Sequence, residues 1–208
     1  MIELYTWMTD NGFKARQMVE ETGIDYTLKP INLRNKEQFG AEFLKLAPVH
    51  QIPALVDSDG PGGETVTMFG SGAILTYMAA KAAPELHPED PVQRIAVDSW
   101  FYWGTSTFTP LAQQHGHYTH RSPEKVPAAQ KHYEATLKDM LGIMNRQLNG
   151  GDFLAGAYSI ADISCYADTH IHGVDDIGLD NFPNVARWHD AITARPAVQR
   201  AWERFEGI

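Results

Sequence analysis

Gln51-Ile52-Pro53-Ala54-Leu55 and, a little further on, Phe69-Gly70-Ser71-Gly72-Ala73-Ile74-Leu75 are the stretches whose reading decides the fold. A proline where a strand is about to begin removes an N–H from the ladder, and a cis bond there would turn the preceding backbone outward. The N–H and C=O of Ile52 are then free to pair with an extended ligand as an added strand would. Gln51 and Pro53 frame that presenting residue. Ser71 stands ahead of apolar residues at helical spacing, Ala73, Ile74, Tyr77 and Met78. Its hydroxyl and the first helical N–H groups form an anion site suited to a carboxylate. Together the two stretches describe a holder for a small peptide.

Outward from this pair, the first part of the chain alternates element types. Ile2–Trp7 reads as a strand, Gly12–Thr22 as a helix stopped by Gly23, Tyr26–Ile31 as a strand and Lys36–Leu46 as a helix. Ala54–Asp57 and Thr65–Phe69 flank a turn-rich Ser58–Gly63 segment, and Ser71–Ala82 is a third helix. The order is βαβαββα. A β-α-β start requires a right-handed parallel crossover and the last strands favour a hairpin, so the sheet is expected to be mixed. Pro84, Pro88 and Pro91 interrupt helical continuity, and beyond them no strand pattern recurs. Helices are expected over Val92–His115, Pro127–Asn149, Ile160–Asp175, Val185–Thr193 and Val198–Phe205. The fold class is therefore α/β plus all-α, with an α/β domain over residues 1–83 and an all-helical domain over 92–208.

Composition narrows the function. With 208 residues, 43% of them apolar, the chain can bury a substantial core. Met1–Gly12 carries Glu3 and Asp10 and no long apolar run, which reads as neither signal peptide nor membrane span and makes the cytoplasm the expected compartment. Acidic residues number 26 against 17 basic ones, a net charge of −9 that disfavours a nucleic-acid partner. The single cysteine, Cys165, lies among apolar neighbours and is expected to be buried and inert, so thiol chemistry requires a thiol brought by a ligand. His115, His117 and His120 lack the spacing of a metal set, and no metal is expected. Trp100, Phe101, Tyr102, Trp103 and Phe108 read mainly as core, with one or two lining an apolar cleft. Ser159-Ile160-Ala161-Asp162 reads as a capping device at a helix start.

The loop after strand one, Thr9-Asp10-Asn11-Gly12, leads into the first helix. A helix N-terminus contributes partial positive charge and unpaired N–H donors, both of which favour a thiolate over a thiol. The Thr9 hydroxyl and the Asn11 amide can add hydrogen bonds to the anion. Lowering a thiol pKa by about two units needs about 2.7 kcal/mol of preferential stabilisation. Two charge-assisted hydrogen bonds and a helix end are of that size. Tyr5 is the rival hydroxyl, but its place within strand one reads as a packed strand position.

The Ile-Pro turn followed by the Ser71 helix start resembles the thioredoxin-like domain of glutathione transferases. Thr9-x-Asn11-Gly12 with Gln38-Phe39 and Glu42-Phe43 resembles their Nu class, which is related to the transferase domain of a yeast prion protein. The resemblance extends through Trp100-x-x-Trp103, Pro110, Gln114–His120 and Ser159-Ile160-Ala161-Asp162. It implies a thioredoxin-like domain followed by an all-helical one, and a glutathione-dependent enzyme acting mainly as a disulfide-bond reductase with weak conjugating activity. By that resemblance Thr9 and Asn11 face the glutathione sulfur, Gln38 the glycyl end, Ile52 the cysteinyl backbone and Ser71 the γ-glutamyl carboxylate. It also implies glutathione or its disulfide as cosubstrate, a small thiol, disulfide or electrophile as the other partner, and a homodimer. Two residues depart from the pattern. Gly70 stands where an acidic residue usually holds the γ-glutamyl end, and His132 stands where an arginine contributes to the pocket. The alternative is a non-catalytic ligand-binding or interaction module that kept the fold after losing this clamp.

Overall fold

The structure is a computed structural model describing residues 1–170 and 177–206, with side chains as far as 203. Its contacts divide the chain into two compact units, Met1–Glu85 with Arg195–Ile208, and Leu86–Ala194. In the first, strands β1 (Ile2–Thr6), β2 (Tyr26–Pro30), β3 (Ala54–Asp57) and β4 (Val66–Phe69) form one sheet in the order β2-β1-β3-β4. β1 and β2 are parallel, whereas β1–β3 and β3–β4 are antiparallel, which is the expected mixed sheet. Alternation along β1 buries Ile2, Leu4 and Thr6 on one face. From the opposite face Tyr5 packs on a small cluster of Phe43, Ala47, Ile52 and Ala54.

Helix α1 (Asp10–Thr22) is capped by Thr9 and ends at Gly23. It is buried along most of its length because α3 (Ser71–Ala82) and α9 (Pro196–Glu206) both pack on it. Phe13 stacks on Trp202 with ring centroids 4.1 Å apart. Arg200 bonds Glu20 at 2.9 Å, and Arg195 grips Glu21 through two bonds of 2.7 and 2.8 Å. The last helix, contiguous in sequence with the helical domain, therefore packs as part of the first unit. The helix expected over Lys36–Leu46 is broken. A 3₁₀ turn (Glu37–Phe39) is followed by extended Gly40 and then by the short α2 (Ala41–Leu46), glycine being a poor helix former.

Among the described residues the second unit is helical, apart from two isolated bridges near Phe153–Ala157. Its helices are α4 (Pro91–Trp103), α5 (Thr109–Gly116), α6 (Pro127–Gln147), α7 (Ile160–His170) and α8 (Pro183–Thr193). Positions 171–175 of the helix expected over Ile160–Asp175 lie outside the described residues. Between α4 and α5 the chain widens into a π turn over Gly104–Phe108. Pro110, near the start of α5, has no N–H to continue the ladder, and the hydroxyls of Thr105 and Ser106 donate to the carbonyls of Phe101 and Tyr102. Among the described residues no helix is long and apolar enough to cross a membrane.

Candidate functional site

The loop between β1 and α1 is shaped by Gly12. A Cβ at that position would lie far inside contact distance of the Trp7 carbonyl oxygen, so only glycine lets the helix start this close to the end of β1. Thr9 has extended backbone and its Oγ1 accepts the Gly12 N–H at 3.1 Å. The capping bond uses an oxygen lone pair, which leaves the hydroxyl proton for another acceptor. Asn11, half-buried in the first turn, receives two donors on Oδ1. Lys14 Nζ is 3.2 Å away and Ser71 Oγ donates from 3.3 Å.

Ser71 is the first residue of α3, and Gly70 is the N-cap, with no side-chain cap bond. The serine does not cap its own helix, because its hydroxyl turns to Asn11 instead. Gly70 has φ 88° and its N–H donates to the Pro53 carbonyl at 2.9 Å. That bond ties the start of α3 to the turn before β3. The Ile52–Pro53 bond is cis, and the ladder of β3 begins only at Ala54, so Ile52 lies outside it. Its side chain is buried against Phe43 and Ala47 while Gln51 is exposed. Gln38, on the 3₁₀ turn, has Oε1 buried with no hydrogen-bond partner among the described residues.

The structure thus brings Asn11 and Ser71 into contact and places Pro53 and Gly70 side by side, all within the first unit. His132 is carried by α6 of the second unit, exposed and edge-on to Tyr133 at 5.1 Å. Tyr5 donates its hydroxyl to Glu3 at 3.0 Å, and burial followed by that bond raises its pKa. Both effects disfavour Tyr5 as an activating group.

The first 80 residues match the family model for the glutathione S-transferase N-terminal domain, and residues 108–203 match that for the C-terminal domain. The chain belongs to the glutathione S-transferase family. It is 36% identical over 203 residues to the disulfide-bond oxidoreductase YfcG of Escherichia coli K12, covering 97% of this chain and 94% of that protein. It is 30% identical to the disulfide-bond oxidoreductase YghU of the same organism, covering 96% of this chain and 73% of that protein. A glutathione transferase family member from Pseudomonas fluorescens Pf-5, solved with two glutathione bound, superposes with TM-score 0.91 at 31% identity, covering 96% of this chain and 91% of that one. A glutathione transferase from Pseudomonas putida, solved with one glutathione disulfide bound per subunit, gives TM-score 0.90 at 32% identity, covering 96% and 90%.

In this glutathione S-transferase, Cys165 is fully buried within α7, its Sγ 3.7 Å from Ser164 Oγ. Phe101 and Phe108 are core, Trp103 stacks on Phe108 at 5.4 Å, and Tyr102 is exposed. Among the described residues no three His, Cys, Asp or Glu side chains converge as a metal site. Sequence reasoning passed over Lys14, buried to 1% exposure although lysine seldom is. Its signal was the Asn11-x-x-Lys14 spacing, which puts the two on one face of a helix.

Proposed function

We propose that this glutathione S-transferase holds a glutathione thiolate at the start of α1 and uses it chiefly to reduce disulfides, with weak conjugation of electrophiles beside it. The Asn11–Ser71 hydrogen bond carries the reading, because it joins the loop that would face the sulfur to the helix start that would face the γ-glutamyl carboxylate. Two groups of the chain fit such a ligand: the N-terminus of α3, with no side-chain cap, offers N–H donors to a carboxylate, and Ile52, outside the strand ladder, can pair with a peptide backbone. Bound glutathione supplies the sulfur: its thiolate bonds one sulfur of the acceptor as the old S–S bond breaks, the leaving thiolate takes a proton, and a second glutathione resolves the mixed disulfide.

In this reading Thr9 donates its remaining hydroxyl proton to the thiolate and Asn11 turns its amide N–H groups toward the same atom. Ser71 and the first N–H groups of α3 hold the γ-glutamyl carboxylate, Ile52 pairs with the cysteinyl backbone between Gln51 and Pro53, and Gln38 reaches the glycyl end. His132 takes the place of the arginine that would meet a second glutathione. Residues 1–83 and 92–208 act as the glutathione-binding and helical domains of a cytoplasmic homodimer.

Calorimetry with glutathione and its disulfide, followed by turnover of a model disulfide and of an aromatic halide, tests this. Disulfide turnover exceeding conjugation, lost in Asn11→Ala and retained in Cys165→Ser, is the expected result. Absence of binding to either ligand at millimolar concentration defeats the proposal. Binding without turnover favours a non-catalytic binding module, the reading to which Gly70 lends support.

A further inference from the structure

We propose that Lys14 is a positioning residue for disulfide reduction, fixing the orientation of the Asn11 amide so that its N–H groups face the glutathione sulfur. The inference rests on the sulfur-facing reading of Asn11 given above. An asparagine amide presents an oxygen acceptor on one side and two N–H donors on the other, and the two orientations are nearly equal in shape. What fixes the orientation is the chemistry of the neighbours. A lysine ammonium has three donors and no acceptor, so a Lys14 Nζ lying 3.2 Å away is compatible only with the amide oxygen turned inward.

Ser71 Oγ, donating to the same oxygen from 3.3 Å, cannot replace it. A hydroxyl carries a single proton, and a γ-glutamyl carboxylate arriving at α3 competes for it. When that proton turns to the ligand, Ser71 presents only lone pairs, which would accept equally well from a flipped Asn11. Lys14 has three protons and can serve Asn11 and a further acceptor at once; it lies in the second turn of α1, 1% exposed, with its tip against Asn11. The ammonium therefore keeps the amide donors aimed outward at the moment the peptide is bound. The first two turns of α1 also bury the acidic Asp10 and the basic Arg16. Any change of net charge at residue 14 acts within that set, which is why the test compares variants in two backgrounds.

Lys14→Met keeps the length and apolar stem of the side chain and removes the donor. It is measured alone and in the Asn11→Ala background, for disulfide turnover, for glutathione affinity by calorimetry and for the ultraviolet absorbance of the bound thiolate. The expected result is a fall in kcat of about tenfold and a rise of about one unit in the bound thiol's pKa. Affinity should stay within about threefold, since the γ-glutamyl and backbone contacts remain. In the Asn11→Ala background the same substitution should cost less than about twofold, because a residue acting through Asn11 has nothing left to orient. Lys14→Gln retains a donor but adds an acceptor, and should restore part of the lost turnover; it also serves if the methionine variant does not fold. Losses that multiply in the double variant, or a thiolate unchanged by either substitution, overturn the proposal. A protein inactive before mutation, or indifferent to Asn11→Ala, defeats instead the sulfur-facing reading on which it rests.

Discussion

A serine stands at the start of both α3 and α7, Ser71 as the first residue of α3 and Ser159 just before α7, and the two starts are built in opposite ways. At α7 the serine and the aspartate three residues on satisfy donors inside the protein. Ser159 N–H and Oγ–H donate to Asp162 Oδ2 at 3.0 and 3.3 Å, while Ala161 N–H donates to Ser159 Oγ. Leu154 N–H and Trp188 Nε1–H meet Asp162 Oδ1 at 2.9 and 2.8 Å. At α3 the N-cap is Gly70, with no side-chain cap bond, and the serine hydroxyl turns to the first turn of α1. One start is closed by its own side chains, and the other leaves its first N–H groups without a side-chain acceptor. A serine before an apolar helix does not reveal which kind it is; the residue three positions on does, Asp162 closing one start and Ile74 leaving the other open.

The contrast breaks most sharply at Asp162. Asp162→Ala leaves four buried donors without an acceptor, and unfolding in denaturant should show a loss of about 3–5 kcal/mol, with glutathione affinity unchanged. The carboxyl carries its own pH dependence. Burial pushes its pKa up to about 6 from 3.8, against the pull of its four donors. The folded state therefore binds this proton more tightly than the unfolded one. Ionisation costs stability in full above about pH 6, and the cost is relieved as pH falls from there toward 4. A shift of about two units corresponds to about 3 kcal/mol. Wild type should gain up to that amount on Asp162→Asn across the window, since the other titrating groups cancel in the difference; a flat difference would show that the four donors outweigh burial.

At α3 the expected effects are on binding. Ser71→Ala removes one donor from a half-buried site and should weaken glutathione five- to tenfold, about 1–1.4 kcal/mol, by calorimetry. Stability should move by less than about 0.5 kcal/mol. A change confined to stability would make the α3 start a second α7.

How much of this was legible follows the range of each interaction. Ser71–Ala82 coincides with α3 because its start and its apolar spacing are local signals. The Asp162 cap was equally legible, three residues from its serine. The Lys36–Leu46 reading failed at Gly40, where a single weak helix former let the chain turn. Helix α9 was placed with its neighbours in sequence, although the groups that hold it, Glu20, Glu21 and Phe13, come from the first helix of the chain. The Asn11–Ser71 contact was hidden for the same reason, its partners being 60 residues apart. The resemblance gave both residues roles in one ligand site, yet no spacing could place one side chain on the other.

Gly70→Glu is the finest test, because two small effects oppose each other. An acidic side chain at this position is expected to reach the γ-glutamyl ammonium, a charge-assisted contact of about 1.5–3 kcal/mol before side-chain ordering is counted. Read from sequence alone, the substitution should tighten glutathione without loss of stability. The backbone changes half of that expectation. Open space surrounds an added Cβ, but φ of 88° is a conformation that residues with a Cβ rarely adopt. The side chain must accept about 1–3 kcal/mol of strain to stand there. Since strain is present with or without ligand, it lowers the melting temperature and leaves the binding difference intact. The expected outcome is a melting point several degrees lower together with glutathione affinity raised about tenfold, equivalent to about 1.4 kcal/mol. A lower melting point with unchanged affinity would mean that the start of α3 already has the charge it needs, or that the strained backbone relaxes by moving Ser71 away from Asn11. Disulfide turnover separates the two, because only the second disturbs the contact that joins the carboxylate end of the site to the sulfur end.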